Sequence, residues 1–125
     1  MENKNNPLSP HLQIYRWHIS SLLSITHRII GIINFIIIIL LSILLIFYDN
    51  YFQTFQLFAQ SFFGKFLVIS ICWSFSFHIL NEIRHLAWDM GYGFNLKISQ
   101  ITGIITIFGS FILTVLFYLI GRSFF

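Results

Sequence analysis

The chain has 125 residues, of which 57% are hydrophobic and 9% charged, with a formal net charge of +3 at pH 7. A soluble domain gives about a quarter of its positions to charged residues, so this balance excludes a water-surrounded globular enzyme, and no nucleic-acid partner is expected. The single cysteine, Cys72, excludes a disulfide framework or a cysteine-based zinc site within the chain.

The N-terminal arm, residues 1–18, is the longest polar stretch. It has no apolar h-region and is not an Arg-rich amphipathic sequence, so it reads as neither a signal nor a transit peptide. The expectation is a protein made inside the compartment whose membrane it enters. A skew of 24 Ile and 16 Phe against two Val and two Ala points to AT-rich coding, as in an organelle or an endosymbiont.

Three stretches lack Asp, Glu, Lys and Arg: residues 29–47, 66–81 and 98–121. A hydrocarbon core about 30 Å thick needs about 20 helical residues. The first and third stretches suffice directly, and the second does so if its helix runs on through His85. The predicted helices span about 20–48, 64–89 and 98–121, joined by short loops. The expectation is therefore an all-α integral membrane protein with three transmembrane helices. It forms a single anchor domain over residues 1–125 and belongs to a heteromeric helix bundle. Cys72 falls in the middle of the second helix and reads as a small core residue.

Lys and Arg near helix ends set orientation. Lys4, Arg16, Arg28, Arg84 and Lys97 fall on one side, Lys65 and Arg122 on the other. The N-terminus is thus expected inside, on the matrix or cytoplasmic face.

Two polar clusters border the apolar stretches, and ionisable groups beside hydrocarbon mark sites for ligands, ions or protons. On the first helix Ser24, His27 and Arg28 share a sector of about 100° at the helical period. On the second, Ser74, His78, Asn81, Glu82, His85 and Asp89 fill another sector of about 100°, while Arg84 points elsewhere and Phe77, Ile79, Leu80 and Leu86 form the opposite face. On the third, Thr102, Thr106, Ser110 and Thr114, with Gly103 and Gly109, read as a packing surface without chemistry.

Three readings compete at this point. A histidine in the membrane can ligate haem iron, with nearby His and Arg pairing the propionates. His78 and His85 are about 10 Å apart along one helix, so a second axial ligand has to come from elsewhere. A quinone head group needs donors such as Ser24 and Arg28, and proton relays such as Asp89 or His85. Alternatively, these groups are interfacial anchors whose charged ends reach the head groups.

The motifs resemble those of the larger cytochrome b anchor subunit of succinate dehydrogenase, respiratory complex II. The first signature runs from Pro7-Leu8-Ser9-Pro10-His11 to Ser24-Ile25-Thr26-His27-Arg28 and Gly31. The second is His78-Ile79-Leu80-Asn81-Glu82-Ile83-Arg84-His85-Leu86-Ala87-Trp88-Asp89. Asn6 stands where the family has Arg, Ile30 where it usually has Ser or Thr, and Glu82 where it has a small residue. Glu82 is expected to be protonated or paired, either with Arg28 or at the inner surface.

The resemblance implies haem b with His78 as axial iron ligand, and His27 and Arg28 near its propionates. It implies a ubiquinone-reduction site using Ser24 and Arg28, with His85 and Asp89 close by. It further implies a second small membrane-anchor subunit, an iron–sulfur subunit and a flavoprotein subunit as partners. By the same resemblance the chain is expected to act as a subunit of the enzyme succinate dehydrogenase, with no catalytic residues assigned to it and no catalysis expected of the isolated chain. The implied location is the mitochondrial inner membrane, organelle-encoded, with a bacterial inner membrane as the alternative. A quinol:fumarate reductase anchor and a haem-free structural anchor are the alternative functions.

Overall fold

The computed structural model describes residues 16–124, with all their side chains except those of Asn50 and Phe124. The first signature's residues 7–15, together with Asn6 and Lys4, lie outside the described residues. Four helices follow one another: α1 (Ile19–Ile46), α2 (Tyr48–Gln60), α3 (Phe62–Asp89) and α4 (Leu96–Phe124). Among them α1, α3 and α4 are long and apolar enough to cross a membrane. The three predicted helices are present, each extended by one or two residues at its start. Together they make an all-α membrane protein.

α2 corrects the expectation of a plain loop between the first two spans. Its 13 residues cover about 20 Å, too little to cross a bilayer. Phe52, Gln56 and Ala59 are half-buried, and this i, i+4, i+7 spacing lays one face against the body of the molecule. Neither Gly nor Pro interrupts the segment, so nothing local breaks the helix. The next helix starts at once: the Ser61 side chain caps α3 by accepting from the Gly64 amide at 3.0 Å. A Cβ at Gly64 would lie 1.9 Å from the Phe58 carbonyl oxygen, so only glycine permits this junction.

The packing is inside out relative to a water-soluble protein. Among the described residues the buried apolar side chains are Leu23, Ile30 and Phe77. The buried polar ones are Asn34, Ser74, Ser76, Asn81, Arg84, Ser99, Thr106, Ser110 and Thr114. Large apolar side chains cover the outside of the spans, which is stable only where lipid or other protein surrounds them. The buried hydroxyls of α4 are mostly satisfied within the helix: Thr106 donates to the Thr102 carbonyl and Thr114 to that of Ser110. That leaves a row of small surfaces along which α3 and α4 pack closely, as expected for this helix. Gly103 makes the α1–α4 contact, because a Cβ there would lie 2.8 Å from Leu23 Cδ1.

A reciprocal hydrogen bond joins α1 to α3 deep in the spans. Ser74 Oγ donates to Asn34 Oδ1 at 2.5 Å, and Asn34 Nδ2 donates to the Ser74 carbonyl at 3.4 Å. α3 ends in a Schellman motif: Tyr92 N–H bonds the Ala87 carbonyl and Gly91 N–H bonds that of Trp88. Gly91 takes φ +87°, a left-handed conformation that glycine adopts without strain.

Candidate functional site

α1 begins, α3 ends and α4 begins at one end of the bundle, and the site lies near this end. His27 sits about 12 Å into α1, while His78 and His85 sit about 16 and 6 Å before the end of α3. The rings of His27 and His78 are stacked, with centroids 4.3 Å apart and planes 8° from parallel. His85 approaches the same His27 ring at 5.0 Å and 44°. Gly31 allows the stack to form, since a Cβ there would come within 3.2 Å of His78 Cε1.

Glu82 completes the cluster. Its Oε2 lies 3.0 Å from His27 Nε2, and the two side chains are 55% and 14% exposed respectively. The partner expected for this carboxylate was Arg28, but His27 takes that place, because it lies nearer the interior on α1 while Arg28 is turned outward and exposed. An imidazole donating from Nε2 keeps Nδ1 as an acceptor when neutral. In both His27 and His78 that Nδ1 is buried without a hydrogen-bond partner among the described residues.

Ligand atoms of His27, His78 and Glu82 lie within 4.8 Å of one another. Parallel stacked rings, however, direct their in-plane nitrogen lone pairs side by side rather than to one point. A single ion shared by both imidazoles therefore requires one ring to turn. An in-plane bond from one imidazole to a metal is compatible with the stack, which covers only the ring face.

The remaining expected residues are only partly drawn in. Ser24 is half-buried, one turn before Arg28, and Asp89 is exposed at the last residue of α3. The polar sector of α3 is split: Ser74 and Asn81 turn into the bundle, His78 and His85 are half-buried, and Glu82 and Asp89 are exposed. The core of α3 is centred on Phe77, 2% exposed, and Arg84, 6% exposed, so both predicted directions need correction. Phe77 is core rather than part of the face opposite the polar sector, and Arg84 points inward. His78, Glu82 and His85 consequently form the rim of this chain's own interior, open on one side.

Arg84 is the residue the sequence reading missed. It donates from Nε to Thr102 Oγ1 (3.3 Å) and from Nη1 to Asn81 Oδ1 (3.3 Å). From Nη2 it reaches the Ser99 carbonyl (3.0 Å), Ser99 Oγ (3.2 Å) and Ser20 Oγ (3.4 Å). Its guanidinium carbon also lies 4.3 Å from the Trp88 ring centroid. Ser99 and Thr102 of α4 thus have a role beyond packing. Asn34 was missed as well, although a lone amide in an isoleucine-rich run was a legible signal.

Three helices long and apolar enough to span a membrane, with an imidazole cluster near one end that is open on one side, define a membrane subunit with ionisable groups at its rim. The chain belongs to the succinate dehydrogenase/fumarate reductase transmembrane subunit family, whose model matches residues 2–117. It is 42% identical over 115 residues to the succinate dehydrogenase cytochrome b556 subunit of Rickettsia felis, covering 90% of each chain. It is 36% identical over 115 residues to the cytochrome b560 subunit of Marchantia polymorpha, covering 83% of this chain and 82% of the relative. To the mitochondrial cytochrome b560 subunit of Mus musculus it is 33% identical over 107 residues, covering 82% of this chain and 63% of the relative.

Proposed function

We propose that this chain is the cytochrome b anchor subunit of a succinate:ubiquinone oxidoreductase. In this reading one anchor domain over residues 1–125 binds haem b through His78 and lines the ubiquinone site with Ser24 and Arg28. The carrying observation is the position of His78: an imidazole at the open rim, beside Gly31, with its Nδ1 lacking a partner. These residues fit the group. His78 offers a metal ligand, the absence of a Cβ at Gly31 lets the Cε1 edge of its ring pack against α1, and Arg28, next to His27, would offer donors for propionates. When bound, haem supplies a one-electron redox centre near one membrane surface.

This chain's own residues do the rest. Ser24 and Arg28, one turn apart, donate hydrogen bonds to a quinone head group and stabilise the negative charge that grows on its oxygens during reduction. Arg28 stays charged at any working pH. His85 and Asp89, nearer the membrane surface, carry protons toward the same head group. His27 orients His78 by stacking and is itself held by Glu82.

In this reading the open rim is the face for a second small membrane-anchor subunit, which would contribute a further iron ligand and further helices. The iron–sulfur and flavoprotein subunits dock on the same end, and succinate is oxidised there rather than on this chain. The Lys and Arg asymmetry puts the N-terminus on the matrix or cytoplasmic face. Relatives from both bacteria and mitochondria fit either an inner mitochondrial or a bacterial inner membrane. The test is a reduced-minus-oxidised absorption spectrum of the complex purified through this chain. A b-type haem band with three co-purifying subunits is expected. A stable monomer carrying six-coordinate haem, or a complete complex without the band, overturns the proposal.

A further inference from the structure

We infer that Arg84 acts as a fixed, buried positive charge that favours the reduced state of the redox group held at the His78 rim. This inference rests on the haem reading above.

Arg84 is 6% exposed and lies inside a membrane bundle, where a charge is costly and is normally paired. Its partners are all neutral: the Ser99 carbonyl and the side-chain oxygens of Ser99, Ser20, Thr102 and Asn81. Among the described residues no carboxylate lies within ion-pairing distance of Arg84, and Glu82 is engaged with His27. Neutral dipoles solvate the guanidinium without cancelling its net charge. Its field therefore extends to its surroundings, and burial limits the screening.

The surroundings are the imidazole cluster. The guanidinium lies over Trp88 at 4.3 Å, and Trp88 meets His85 edge-on at 5.1 Å. His85 is in ring contact with His27, which stacks on His78. Contacts to α1 and α4 fix the charge in place, so it does not follow the redox state by moving. Adding one electron to a ferric haem on His78 lowers the charge there by one and breaks no bond, and a nearby fixed cation stabilises that product. If the charge stands about 10 Å from the redox group, an effective dielectric of about 20 makes the effect on the order of tenfold in the one-electron equilibrium. This corresponds to a midpoint shift of about 60 mV.

The test is a potentiometric titration of the haem band in the intact complex, with dithionite as reductant and ferricyanide as oxidant. Arg84→Gln keeps hydrogen bonding but loses the charge, and its midpoint is expected to fall by about the amount given. Arg84→Lys keeps the charge, and its midpoint should stay near that of the parent. Because Arg84→Gln removes part of a helix-joining network, Ser99→Asp supplies an independent variant. It sets a counter-charge beside an intact Arg84 and should also lower the midpoint. Unchanged midpoints in Arg84→Gln or Ser99→Asp, or an equal fall in Arg84→Lys, overturn the inference while the haem reading stands. A complete parent complex without a haem band overturns both.

Discussion

His27 on α1 and His78 on α3 lie ring on ring, 4.3 Å between centroids and 8° from parallel. The contact couples two helices at the site, so the orientation of His78 depends on residues of α1. Glu82 holds His27 from α3, closing the loop between the two helices. The carboxylate that replaces a small residue in the family pattern thus has a partner and does not face lipid alone.

Replacing His78 should abolish or alter the haem spectrum, while replacing His85 should leave an axial ligand in place. His78 is the deeper residue and the one beside Gly31, and His85 stands about 10 Å further toward the membrane surface. Spectra of His78→Leu and His85→Leu complexes check this. A normal spectrum in the first with haem loss in the second reverses the assignment.

Gly31→Ala should perturb the same spectrum without removing a ligand. Its new Cβ would lie 3.2 Å from His78 Cε1, tight enough to push the ring by a few tenths of an ångström. Gly31→Val adds two methyl groups and should shift the haem band further or lower haem content. Identical spectra across the parent, Ala and Val complexes would remove Gly31 from the site.

Ser24→Ala and Arg28→Leu should slow quinone reduction roughly ten- to a hundredfold. Losing a hydrogen bond to a developing charge costs about 1.5–3 kcal/mol, and each 1.36 kcal/mol is about tenfold in rate. Succinate oxidation with an artificial acceptor should survive, because it bypasses the quinone. Full quinone reductase activity in both variants of an assembled complex counts against the proposed roles.

Asn34 and Ser74 should show measurable coupling in the membrane. Interhelical hydrogen bonds there contribute about 0.6 kcal/mol on average and at most about 1.7. A double-mutant cycle with Asn34→Leu and Ser74→Ala, read as unfolding free energy in mild detergent, isolates the pair. Each single change leaves a buried polar group unpaired, so the two single costs added together should exceed the cost of the double change. Strict additivity would show that the bond contributes nothing to stability.

The three spans were legible in the chain alone because hydrocarbon length and the cost of charge act on composition, without reference to neighbours. The imidazoles and Glu82 were legible too, as ionisable groups at the edges of apolar runs. α2 was not, since its half-buried face becomes apparent only when α3 is there to receive it. The helical wheel gave α3 one polar sector but could not say which way that sector turns. Facing was decided by tertiary packing: Phe77 and Arg84 fill the interior against Leu23, Ser99 and Thr102, and this rotation leaves His78, Glu82 and His85 at the rim. Arg84 looked misplaced on the wheel because all its bonding partners but Asn81 lie on α1 and α4, 15 to 64 residues away. Sequence determined which groups enter the membrane; packing of the helices decided which of them are paired, which are enclosed and which stay open to a partner.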